Sequence, residues 1–180
     1  MRWNVLFEEL ENQFDQLGLA SAGQSATPTR GFNNELRESL SYARDHQKTL
    51  RLLMRHSGAL EIRPRTIARD FVAGTLPSRG VDAALSNAHI VGFQPGESPS
   101  NLDPIDATFD TFMQVWARGH QPCVVVSEGR DLCGFITEVA DDSIRFSVSE
   151  RGGHSEWLLP RASLELVRTL SAAEREGIDG

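Results

Sequence analysis

Two hydrophobic rhythms alternate along the chain, and the points where one gives way to the other set out its organisation. Trp3, Phe7, Leu10, Phe14 and Leu17 recur at alternating spacings of four and three, with Leu6 beside them and Glu8, Glu9, Glu11 and Asp15 elsewhere. This spacing predicts an amphipathic helix over residues 1–18, closed by Gly18. Two heptads are too few to be stable alone, so the seam must dock on this chain or on a partner. Residues 19–31 are small and polar and read as a linker. A second helix is expected from Asn33 to Gln47, with Phe32, Leu36, Leu40 and Ala43 on one face. A third is expected to start at Asp103-Pro104, a capping residue followed by a first-turn proline. It carries Ile105, Phe109, Phe112, Met113 and Trp116 on one stripe and stops at Arg118-Gly119.

After each of the last two helices the rhythm shortens to that of strands. In the first half the runs are Thr49–Arg55, Leu60–Ile67, Phe71–Leu76, Asp82–Leu85 and His89–Phe93. In the second they are Cys123–Ser127, Leu132–Val139, Ser143–Ser149, Ser155–Leu159 and Leu164–Leu170. Turn residues divide them, among them Ser57-Gly58, Pro77-Ser78-Arg79-Gly80, Glu128-Gly129 and Arg151-Gly152-Gly153. The order helix then five short strands occurs twice. His56-Ser57-Gly58 matches Ser127-Glu128-Gly129, Ser78-Arg79-Gly80 matches Glu150-Arg151-Gly152, and Leu85 to Val91 matches Leu159 to Glu165. These correspondences predict an internal duplication.

The second copy resembles the Sm-like small-barrel family. Val124-Val125-Val126 through Gly129, then Gly134-Phe135-Ile136, Val139, Asp142, Ile144 and Phe146, is similar to its first motif. Trp157 to Val167 is similar to its second. The resemblance covers residues 104–170 well and 32–93 weakly, and the motifs are short. The whole order, with Arg2-Trp3 and Leu6-Phe7 at its start, also resembles uncharacterised two-barrel proteins of actinobacteria. The resemblance implies a mainly β, α+β chain of two tandem five-stranded small barrels, each preceded by a helix. The resulting division is a helix (1–18), a linker (19–31), a first helix and barrel (32–93), a linker (94–103), a second helix and barrel (104–170) and a polar tail (171–180). Family members bind RNA at the turns after the second and fourth strands and assemble into rings. Here the second copy places Asp141-Asp142 and Pro160-Arg161 there, a poor match for a polyanion. The first copy places Arg69-Asp70 and Ser86 to His89 there and suits RNA better.

Charge sharpens this contrast. The net charge is −7, yet residues 48–93 carry seven basic groups against three acidic ones. Lys48, Arg51, Arg55, Arg63, Arg65 and Arg69 are therefore the candidate nucleic-acid contacts, although scattered solvated arginines are the plainer reading. No run of eighteen apolar residues is present, and the start lacks the apolar core of a secretory signal. With two cysteines, Cys123 and Cys133, and no Asn-x-Ser/Thr acceptor, a reducing cytoplasmic interior is expected.

Motifs for phosphate cradles, zinc proteases and nucleophile elbows are missing, and the five histidines are far apart in sequence. Both cysteines fall in strands and read as buried, inert thiols. The Asp141-Asp142 pair reads as a turn rather than a cation site. The expectation is a binding or regulatory protein with no catalytic residue, cofactor, metal or small-molecule substrate. Its contact would be the helix bearing Trp3, Phe7, Leu10, Phe14 and Leu17, used for a protein partner or self-association. RNA or DNA binding by the basic first barrel is the alternative.

Overall fold

The computed structural model describes residues 31–95, 105–150 and 153–178. The helix expected over 1–18, the linker expected over 19–31 except Gly31, and residues 96–103 of the linker expected over 94–103 lie outside these residues. Three helices and ten strands follow: α1 (Phe32–Asp45), β1 (Leu50–Met54), β2 (Gly58–Ile67), β3 (Phe71–Leu76), β4 (Val81–Ser86), β5 (Ile90–Phe93), α2 (Phe109–Arg118), β6 (Cys123–Ser127), β7 (Arg130–Val139), β8 (Ser143–Glu150), β9 (Gly153–Pro160), β10 (Leu164–Thr169) and α3 (Ala172–Ile178). One-turn 3₁₀ helices at Asn87–His89 and Arg161–Ser163 precede β5 and β10.

The strands do not close into two small barrels. They form one open antiparallel sheet in the order β5-β1-β2-β3-β4-β10-β6-β7-β8-β9. Each half contributes five strands in the same relative order, and the halves meet where β10 pairs with β4. That junction registers Leu166 with Leu85, Val167 with Ala84 and Arg168 with Ala83.

Burial explains why the halves fuse. The outer strands β1 and β2 alternate, with Leu50, Leu52, Met54, Leu60 and Ile62 buried and Arg51, Leu53, Glu61 and Arg63 exposed. The central strands do not alternate: Cys123–Val126 and Leu164–Arg168 are buried throughout, as is most of β3 and β4. A strand covered on both faces reads as an unbroken apolar run. Successive side chains there enter different cores. Phe71, Ala73, Ala84, Val125 and Val167 join Phe109, Phe112, Met113 and Trp116 of α2. Val72, Ala83, Leu85, Val124, Val126 and Leu166 join Leu36, Leu40 and Ala43 of α1. Because neighbouring residues of a strand point to opposite faces, the two cores sit on opposite sides of the central strands. Each therefore draws residues from both halves. Separate barrels under private lids would leave those central strands half exposed.

The connection into α2 adds to this fusion. The third helix begins at Phe109 rather than near Asp103, capped by Thr108, whose Oγ1 accepts from Thr111 N at 3.3 Å. The residues before it are used otherwise: Ile105 N donates to Ile67 O at 3.0 Å, and Ile105 bridges Ala68. Asp70, in the β2–β3 turn, accepts from Phe109 N at 2.8 Å. The first half thus holds the first turn of the second half's helix. Two close approaches bend the sheet. A Cβ on Gly74 would lie 2.1 Å from Arg63 O, and one on Gly134 would lie 1.9 Å from Ser147 O. Residues 171–180, expected as a polar tail, contain α3, opened by a Ser171–Glu174 capping box in which each side chain meets the other's backbone N–H, at 2.8 and 3.4 Å.

Candidate functional site

Three features carry chemistry or recognition, and two of them lie on the junction of the halves. The first is a buried carboxylate. Glu165 on β10 is fully buried, although its neighbours in sequence are apolar. Its Oε1 lies 2.5 Å from His56 Nδ1, while Oε2 accepts from Ser57 N at 3.1 Å and from Ser57 Oγ at 2.5 Å. Both partners sit in the tight β1–β2 turn of the other half. An isolated buried carboxylate costs several kcal/mol, so these partners are what make the position tolerable. Gly129, at the tip of the β6–β7 turn with φ +75°, backs onto His56; a Cβ there would approach His56 Cβ to 3.3 Å.

His89, in the 3₁₀ turn before β5, completes the group. Its ring centroid is 6.5 Å from that of His56, and it is 7% exposed. His89 Nδ1 and Asn87 Oδ1 in the same turn are buried with no hydrogen-bond partner among the described residues. One ligating atom from each of His56, His89 and Glu165 lies within 4.8 Å of the others.

The second feature is Arg168, 3% exposed, whose guanidinium meets Glu174 of α3 through two bonds of 2.8 and 2.7 Å and Asp131 at 3.0 Å. Asp131 also faces Arg79 of the first half at 3.7 Å. The Arg168 hydrogen bonds hold the Glu174 carboxyl down at about 2, from an ordinary 4.5, and Glu174 in turn raises Arg168. This is a bidentate clamp that docks α3 on β10.

The third feature is the pair of sheet edges, β5 and β9, to which no further strand among the described residues pairs. On β9, Trp157 and Leu158 are 48% and 65% exposed, and on β5 Val91 is 47% exposed. Strand β5, Ile90-Val91-Gly92-Phe93, carries no charge.

Of the residues singled out from sequence, Trp3, Phe7, Leu10, Phe14 and Leu17 lie outside the described residues. Lys48, Arg51, Arg55, Arg63, Arg65 and Arg69 are all exposed. Arg51, Arg63 and Arg65 occupy outward positions of β1 and β2, but Glu61 stands opposite Arg51 in the ladder and dilutes the charge. Lys48 precedes β1, Arg55 follows it, and Arg69 lies in the β2–β3 turn. Cys123 is buried and Cys133 half-buried, and burial pushes both thiols up, away from reactivity.

The histidines lie far apart in sequence and not at ligand spacing, yet the sheet brings His56 and His89 to Glu165, 109 residues from His56. One signal was present, since His56-Ser57-Gly58 and the His89 turn were both segments that matched their counterparts in the second half. A glutamate inside the apolar run Leu164-Glu165-Leu166-Val167 was the other.

No protein-family model, no curated protein and no solved structure matches the chain. Among the described residues no helix is long and apolar enough to cross a membrane.

Proposed function

We propose that this chain works by protein association rather than catalysis, and that the partner of its sheet edges is a second copy of itself. One observation carries the reading. The internal junction joins the fourth strand of one half to the fifth strand of the other, and the free edges are the remaining fifth strand, β5, and fourth strand, β9. A neighbouring copy offering β5 to β9 would repeat a contact that the chain already makes within itself. Matching the halves through their 3₁₀ turns carries the Leu166–Leu85 and Val167–Ala84 pairs onto Gly92–Leu159 and Phe93–Leu158.

The edges suit such pairing. Proteins that stay monomeric blunt exposed edges with lysine, proline or inward charge; β5 has none of these, and β9 carries its proline, Pro160, only at its end, beyond the Gly92–Leu159 and Phe93–Leu158 pairs. Covering a side chain as exposed as Leu158 contributes about 1–2 kcal/mol. A contact between unlike edges is head to tail, so copies would assemble into a ring or an open string. The helix expected over residues 1–18 would add a second contact.

Sedimentation of the full chain across the micromolar range tests this. Mass should grow in multiples of 19.9 kDa. Leu158→Lys and Val91→Lys should each abolish growth, yet a mixture of the two should form a dimer, because each retains the edge that the other has lost. A monomer at all concentrations overturns the reading. So does growth indifferent to both substitutions, or lost only on removing residues 1–18. Mass lost on nuclease treatment and at high salt would assign the partner as nucleic acid through Arg63 and Arg65.

A further inference from the structure

We infer that His56, His89 and Glu165 form a binding site for one divalent transition-metal ion of the zinc class. Two imidazoles and a carboxylate are the donor set that such ions take, whereas magnesium and calcium favour all-oxygen sites. The three ligating atoms already lie within 4.8 Å of one another. A tetrahedral ion with bonds of about 2.0–2.1 Å holds its ligand atoms about 3.3 Å apart. The His56–Glu165 pair, 2.5 Å apart, must therefore part by less than about 1 Å, and the remaining gaps must close by at most about 1.5 Å.

A self-contained polar bridge would explain His56, Ser57 and Glu165 without any ion. It does not explain His89. That ring is more than nine-tenths buried beside the carboxylate, and its Nδ1 has no partner among the described residues. Buried polar atoms are rarely left so, and His89 Nδ1 gains its partner as the nitrogen that would meet an ion held by Glu165 and His56. Ser57, bonded through N and Oγ to Oε2, leaves Oε1 to the ion and fixes the carboxylate in place, as outer partners of metal ligands commonly do. The His56 side chain is 42% exposed. It supplies both the route in and the freedom to swing, and water takes the fourth position.

The ligands come from both halves: His56 and His89 from the turns flanking β1 and β5, Glu165 from β10. A bound ion would pin the junction from its side and resist its opening. This inference does not depend on self-association, since no ligand lies on β5 or β9.

The test titrates chelator-treated full-length protein with zinc chloride by calorimetry and with cobalt chloride by visible absorption. One ion per chain, the intense visible bands of a tetrahedral cobalt site, and a melting temperature raised by about 5–10 °C at hundredfold excess over Kd are expected. His56→Asn and Glu165→Gln should each weaken binding more than about tenfold. His46→Ala, His120→Ala and His154→Ala should leave it unchanged. His56→Asn alters a half-exposed side chain, so it reports even if Glu165→Gln fails to fold. Absence of binding, weak octahedral cobalt spectra, or full affinity in His56→Asn overturns the assignment.

Discussion

Replacing Leu166 by alanine separates a shared sheet from a pair of independent units. Leu166 belongs to the second half by sequence, but its side chain, 3% exposed, packs in the core beneath α1 of the first half. Truncating a leucine so buried costs about 3–4 kcal/mol, because the strands flanking it hold their positions and leave a cavity. For a folded body of this size that lowers the melting temperature by about 6–15 °C, and the urea midpoint by about 1.5–2 M for a slope near 2 kcal/mol/M. The assay places the reporter on the other face. Trp116 lies in the core beneath α2 and donates from Nε1 to Gln121 O at 3.1 Å. With Trp3 and Trp157 changed to phenylalanine, fluorescence follows that core alone, while far-ultraviolet circular dichroism follows the whole sheet. If the cores share β3, β4, β6 and β10, both signals must move together and by the same amount. A Trp116 transition left in place while circular dichroism splits into two steps would show two independently folding halves.

Other changes probe single contacts. Above its ordinary value of 4.5 the Glu174 carboxylate is charged whether folded or not, and its clamp on Arg168 contributes fully; the contribution is lost as pH falls toward the folded value of about 2. Glu174→Gln should thus cost about 1–2 kcal/mol at pH 7, discounted because the side chain is 34% exposed, and the gap from the parent protein in urea melts should close between pH 4.5 and 2. Gly134→Ala sets a methyl 1.9 Å from the Ser147 carbonyl oxygen, a backbone atom that cannot step aside; a loss of 2 kcal/mol or more in denaturant titration is expected, and a neutral result would remove the account of the β7–β8 bend. Thr108→Ala removes the cap of α2 and should cost about 1 kcal/mol by the same titration.

Much of the fold was legible because strands announce themselves locally. The expected runs Phe71–Leu76 and Cys123–Ser127 match β3 and β6 residue for residue, and the remaining strands differ by a residue or two at their ends. The pairing of β4 with β10 was not legible, since it joins residues about eighty positions apart through three registered pairs. Its signature was the unbroken apolar run of Val124-Val125-Val126 and of Leu164 to Val167, which reports burial on two faces. Read as part of a family motif, those runs implied a barrel interior instead. The start of α2 failed for a related reason. Asp103-Pro104 is a good local start, but Asp70 offers Phe109 N a partner from the other half, and a tertiary contact outweighs a local preference. Of the candidate site, Glu165 could be seen as a charge out of place, whereas the meeting of His56 with His89 follows only from the path of the sheet.

The junction needs more than its ladder to hold its alignment. Three pairs of ladder residues are too little to hold two five-stranded units in one register, and a slip by one residue would exchange the inward and outward faces of β10. Polar groups at both ends remove that freedom. At one end Asp82 N donates to Thr169 Oγ1 at 3.1 Å, with Arg79, Asp131 and Arg168 alongside. At the other, Glu165 reaches back to His56 and Ser57. A slipped register would leave the buried Glu165 carboxylate without its donors from the other half, a cost of several kcal/mol. The apolar ladder supplies the attraction between the halves, and the buried Glu165, held by His56 and Ser57, chooses the one alignment in which both cores close.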